Sequence, residues 1–179
     1  MKRLFVFLLN ILISLWCYSL EGQKLVILHT NDLHSHINGF SPESAYTPLT
    51  TSDDATLGGF ARIASLIKTV KAESASPVLV LDAGDFLMGT LFQSLEPETG
   101  FQLNLMKRMG YDAVALGNHE FDFGPEQLAR IIRSANNNGQ IPLLFLSNSK
   151  FNDDDNRDDE LKKLYDDKII LRADVIAKD

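Results

Sequence analysis

Asp32 and His34 are separated by one residue, so on extended backbone a carboxylate and an imidazole point the same way and can grip one cation. Asp85 follows Gly84, and a glycine there lets the backbone turn tightly just before the carboxylate. Asn118 offers a neutral carbonyl oxygen, with His119 beside it. A mixed oxygen and nitrogen donor set suits Mn, Fe, Co or Zn better than a sulfur-selecting ion or an all-oxygen magnesium site. An Asp-x-His pair by itself reads as structural. Three such pieces in order, each behind an apolar run, read as one site. His29, at the end of the first run, is expected to pack behind the ligands, and His36 to face solvent rather than substrate.

The apolar runs are the elements that must position these groups. Leu25–Leu28, Val78–Leu81, Ala113–Leu116 and Pro142–Leu146 read as buried strands, and Ile169–Ile176 as a strand or hairpin arm. Between them the spacing predicts a helix over 59–72, with Phe60, Ile63, Ile67 and Val70 on one face. A second is expected over Phe101–Met109, closed by Gly110, and a third from Gly124-Pro125 to about Ala135. Residues 38–56 read as a surface loop and Asn152–Glu160 as a solvated acidic insertion. Strand, loop and helix in repetition imply an α/β layered sheet with largely parallel strands, whose ligands gather beyond the carboxyl ends of the strands. The polar clusters 29–36, 82–85, 117–122 and 147–149 fall at those ends.

Composition narrows the setting. At 45% hydrophobic and 23% charged, the 179 residues are those of an ordinary globular chain. Lys2 and Arg3 precede an apolar run from Leu4 to Tyr18, which reads as a signal peptide over 1–19 and an export signal to the periplasm or the cell exterior. The sole cysteine, Cys17, lies in that leader, and the large Trp16 before it argues against lipid attachment. Cleavage would leave a chain without disulfides and without a membrane span. Removing Lys2 and Arg3 from the 17 basic residues leaves 15 against 24 acidic ones, a net charge of −9. That balance argues against a polymeric nucleic-acid partner. It leaves small anionic substrates open where bound cations invert the local field. No nucleotide P-loop and no G-x-G-x-x-G fingerprint is present.

Four blocks together carry a resemblance: Leu28-His29-Thr30-Asn31-Asp32-Leu33-His34, Gly58-Gly59-Phe60-Ala61-Arg62, Asp82-Ala83-Gly84-Asp85 and Gly117-Asn118-His119-Glu120-Phe121-Asp122. In order and spacing, over residues 24–148, the chain resembles the 5′-nucleotidases among the calcineurin-like metallophosphoesterases. The resemblance implies a layered α/β/β/α sandwich that hydrolyses phosphoester bonds of nucleotides, nucleotide sugars or cyclic nucleotides. It implies two divalent metal ions (Zn, Mn, Co or Fe). Asp32 and His34 would hold the first, Asp85 would bridge both, and Asn118 would hold the second. His119 would stabilise the transition state or protonate the leaving oxygen, with Asp122 orienting it. Asp122 can also be read as a helix N-terminal carboxylate in a favourable dipole, and Gly58-Gly59 as a plain helix start.

The chain departs from the family pattern downstream. The family completes its metal site with later histidines, including a Gly-His-x-His block, and holds the base with aromatics of a C-terminal domain; here no histidine follows His119. Residues 24–179 are therefore expected to be the N-terminal part of the metallophosphoesterase domain, incomplete at the C-terminus, with weak activity by themselves. Two alternatives stand beside the nucleotide hydrolase: a relative of the sulfate thiohydrolase of sulfur oxidation, and a metal-binding fragment without turnover.

Overall fold

The computed structural model describes residues 24–39 and 57–178. The expected leader, Cys17 and nearly all of the 38–56 loop lie outside the described residues. Strand β1 (Val26–Thr30) is followed by helix α1 (Phe60–Glu73), β2 (Val78–Asp82), a 3₁₀ turn (Leu91–Leu95), α2 (Glu96–Thr99) and α3 (Phe101–Met109). Then come β3 (Ala113–Ala115), a 3₁₀ turn (His119–Phe121), α4 (Gly124–Asn138), β4 (Leu143–Phe145), a 3₁₀ turn (Asn156–Asp158), α5 (Asp159–Asp166) and β5 (Ile170–Leu171).

The strands form one sheet in the order β1-β2-β3-β4-β5, each neighbour parallel to the next. Parallel neighbours need a crossover, and every connection here contains a helix. Right-handed crossovers that all step in one direction put those helices on one face. Burial follows the strand alternation. Val78, Val80, Val114, Leu144 and Ile170 belong to the buried core with Leu103, Met106, Leu128, Ile131 and Ile132 of the helices. On the opposite face Ile27, Leu79, Leu81, Leu143, Phe145 and Leu171 are only half-buried or exposed. The described residues thus supply one helical layer and one sheet of the expected sandwich, and the α/β class holds. None of the helices among the described residues is long and apolar enough to cross a membrane.

Helices α1 and α3 form where their apolar spacing places them. Phe60 and Ile67 are buried, and α3 ends in a left-handed Gly110 whose N–H reaches the Met106 and Lys107 carbonyls. The acidic stretch 152–160 is solvent-facing as expected, with none of its residues buried, and Asp155 caps a 3₁₀ turn that leads into α5, which buries Leu161 and Leu164 against α4. Two expectations need correction. The strand or hairpin arm expected over 169–176 is a strand, but a shorter one: only Ile170–Leu171 pair, parallel to β4, because α5 supplies a crossover. His29 does not pack behind the ligands: it pairs in register with Leu81 on the sheet face away from the helices, and is exposed.

Candidate metal centre

Beyond the carboxyl ends of β1 and β2 the two loops keep pairing as if the sheet continued. Asp32 N–H donates to the Gly84 carbonyl (3.0 Å), His34 N–H to Asp85 (3.0 Å) and Ser35 N–H to Phe86 (2.9 Å). The pairing holds the polar residues in conformations that L side chains rarely adopt. Asp32, His34, Ser35 and Asp85 all have positive φ, between 45° and 59°. Such backbone costs on the order of 1–3 kcal/mol per residue and persists where its surroundings over-determine it.

The third loop joins through close backbone approach. A Cβ on Gly84 would lie 2.7 Å from the Gly117 nitrogen, and one on Gly117 would lie 2.8 Å from the Asp85 nitrogen and overlap the Asp85 carboxylate. The buried Glu120 ties the loops together. Its carboxylate accepts from the backbone N–H of Asp85 (2.9 Å), Leu87 (3.0 Å) and Gly117 (2.6 Å). Burial raises the Glu120 pKa, opposed by those three donors. Behind them the Thr30 hydroxyl donates to Asp82 Oδ2 (2.6 Å) and lies 2.8 Å from the Tyr111 hydroxyl. Burial pushes the Asp82 carboxyl up to about 6.

This scaffold brings His34, Asp85 and His119 together, with one ligand atom from each within 4.8 Å of the others. The two imidazoles meet edge to face, centroids 4.9 Å apart. His34 Nδ1–H donates to the Leu87 carbonyl (3.2 Å), which leaves Nε2 free, and Asp32 Oδ1 stands 3.7 Å from that nitrogen. The Asp85 carboxylate accepts the His119 backbone N–H (2.9 Å). His119 Nδ1–H donates to Asp122 Oδ2 (2.8 Å), again freeing Nε2. That bond, reinforced by the charges of Asp122, Asp85 and Glu120, raises the His119 pKa. A free Nε2 oriented by a bond at Nδ1 is how histidines present themselves to metal ions. The residues present therefore fit a divalent cation.

Asp32 thus flanks the cluster and Asp122 supports it. Asn118 is exposed, and its side chain makes no hydrogen bond among the described residues; its carbonyl accepts from Phe121 N–H. His36 is exposed, in line with a solvent-facing role. Gly58 and Gly59 lie near the site: with Asp32 and His36 they line one small cavity. Glu120 and Asp82 were not legible as site residues, although both sit inside the motif blocks.

The family model of the calcineurin-like phosphoesterases matches residues 25–174. The chain belongs to this family. Among curated calcineurin-like phosphoesterase relatives, rat 5′-nucleotidase is 37% identical over 129 residues, 67% of this chain and 20% of the relative. The bovine 5′-nucleotidase is 42% identical over 106 residues, 59% of this chain and 17% of the relative. The crystal structure of a 5′-nucleotidase precursor from Thermus thermophilus aligns with a TM-score of 0.53 at 34% identity, covering 69% of this chain and 22% of that one. The NAD nucleotidase of Haemophilus influenzae aligns with a TM-score of 0.53 at 28% identity, covering 69% and 20%. The chain thus spans about a fifth of the length of these relatives.

Proposed function

We propose that this chain carries metal-dependent hydrolysis of phosphoester bonds in nucleotides, and that a leader over 1–19 exports it. Asp32, His34 and Asp85 would hold one divalent cation, and Asp85 and Asn118 a second. When bound, the cations supply a water of lowered pKa and neutralise phosphate oxygens. His34 is kept in the metal-binding tautomer by the Leu87 carbonyl. His119 offers its free Nε2 to the leaving oxygen and carries a proton there over a wider pH range because Asp122 stabilises its charged form. Glu120 holds Asp85 and the Gly117 turn in register, so little reorganisation is needed as charge develops. The observation that carries the reading is the convergence of His34, Asp85 and His119 from three separate strand ends.

The test is product formation from AMP, UDP-glucose and 2′,3′-cyclic AMP with Mn or Zn added. Turnover that disappears in Asp85→Ala is expected; no product with any metal sinks the reading. A second reading is a chain that binds cations without turnover. Calorimetric titration separates the two. Heat of cation binding that needs Asp85, without product from any of the three substrates, selects the second.

A further inference from the structure

Six polar residues are buried among the described ones: Ser35, Asp82, Gln93, Glu96, Gln102 and Glu120. Two of them, Asp82 and Glu120, brace the loops after β2 and β3 through backbone N–H groups of Gly84, Asp85 and Gly117. The other four gather at the loop after β1, which carries His34. Gln93 Oε1 accepts the Met88 N–H (3.0 Å), next to the Leu87 carbonyl that takes the His34 Nδ1–H (3.2 Å). Burying polar groups costs free energy unless they are bonded, so four of them at one turn mark an arrangement held in a single form.

Ser35 is the turn itself, with φ at 53° and its N–H bonded to the Phe86 carbonyl (2.9 Å). Its carbonyl accepts from the Thr90 hydroxyl (2.7 Å), and its own hydroxyl oxygen accepts from Gln102 Nε2 (3.0 Å). Gln102 lies in the first turn of α3, and its backbone N–H donates to Glu96 Oε1 (3.2 Å), at the start of α2. Ser35, Glu96 and Gln102 are all 0% exposed. Glu96 Oε2 and Gln102 Oε1 have no hydrogen-bond partner among the described residues. A proton on Glu96 turns the first of these from a bare acceptor into a donor, and burial raises that carboxyl to about 7. The corner between α2 and α3 is fixed in turn: a Cβ on Gly100 would lie 2.4 Å from the Ala135 nitrogen of α4. A line of bonds therefore runs from a corner packed on α4 to the residue after His34.

We propose that Gln102, held by Glu96, positions the candidate metal centre: it fixes the Ser35 turn and thereby aims the free Nε2 of His34. The inference rests on the reading of His34 as a cation ligand given above. Gln102 and Glu96 act on the cation through Ser35 and His34, and are positioning residues rather than ligands.

Zn binding to the full chain is measured by calorimetry, and the His34 ring is followed by NMR before Zn is added. In the unaltered protein the ring should be held as the Nδ1–H tautomer that donates to Leu87. Gln102→Met keeps the length of the side chain and removes its amide. It should weaken Zn by about tenfold or more and let the two His34 tautomers average. Ser35→Ala removes the other end of the same bond and should act in the same direction, and the double variant should bind Zn no more weakly than Gln102→Met. Glu96→Gln keeps an acceptor and a donor in place and should stay within about threefold of the unaltered affinity. Leu164→Ala lowers stability from α5, away from this line of bonds, and should move neither the Zn affinity nor the His34 ring. Unchanged Zn affinity in both Gln102→Met and Ser35→Ala overturns the positioning role and leaves the metal centre standing. An equal loss in Leu164→Ala also overturns it, because lost stability then accounts for the effect. No Zn binding by the unaltered protein refutes the metal reading, and the positioning role with it.

Discussion

Asp122 and Glu120 act on the site through other residues, and each role has a separate signature. The bond from His119 to Asp122 is the largest cause of the raised imidazole pKa, so Asp122→Asn should lower that pKa toward the ordinary histidine range. NMR titration of the His119 ring checks this directly. If His119 is the acid, the alkaline limb of the kcat profile moves to lower pH in the same variant. Glu120 accepts three backbone N–H groups, and Glu120→Ala leaves all three without that partner. Each buried donor left unsatisfied costs about 1–3 kcal/mol. Chemical denaturation should therefore show a loss of at least about 2 kcal/mol. Cation affinity should fall with it, since Asp85 loses its anchor.

At the scale of elements, α5 and the segment 91–99 are the pieces that composition concealed. The acid-rich approach to α5 hides the two buried leucines that make it a helix, so Leu164→Ala should cost about 2–5 kcal/mol in denaturation. Glu96, in α2, is fully buried, and burial raises its carboxyl from 4.5 to about 7. The sign follows from linkage. The folded state holds the proton more tightly than the unfolded chain, so this stabilisation is complete below pH 4.5 and fades as pH rises to about 7. The shift corresponds to a loss on the order of 3 kcal/mol across that window. Melting temperatures from pH 5 to pH 8 should decline, and Glu96→Gln should flatten the part of the decline that Asp82 does not supply. By contrast, α3 was fully legible, because a short amphipathic run closed by glycine carries its boundaries in its own residues.

For the whole molecule, a cation held at the cluster would couple its binding to folding, because the cluster is assembled from three loops that meet only in the folded chain. Zn or Mn at 100 times its Kd should add about 2.7 kcal/mol of stability. The gain should be absent in Asp85→Ala, as read by thermal unfolding with and without chelator. The parallel sheet leaves its apolar face of Ile27, Leu79, Leu81, Leu143, Phe145 and Leu171 uncovered among the described residues. No single strand's sequence announced this. An alternating strand and a strand buried on both sides differ only in what covers them, and that depends on crossovers elsewhere in the chain.

Type and spacing pointed to Asp32, His34, Asp85 and Asn118, with His119 beside it, as candidates, because apolar runs followed by polar clusters put donors at strand ends whatever the sheet order. Which donors meet was decided by the tertiary structure. Parallel pairing in the order β1-β2-β3 brings three carboxyl ends to one edge, and Gly84 and Gly117 let two loops touch there. That contact gathers His34, Asp85 and His119, leaves Asp32 at the flank and turns His29 outward. It also gives Glu120 its task, since a carboxylate that binds backbone of a distant loop has no local pattern to betray it.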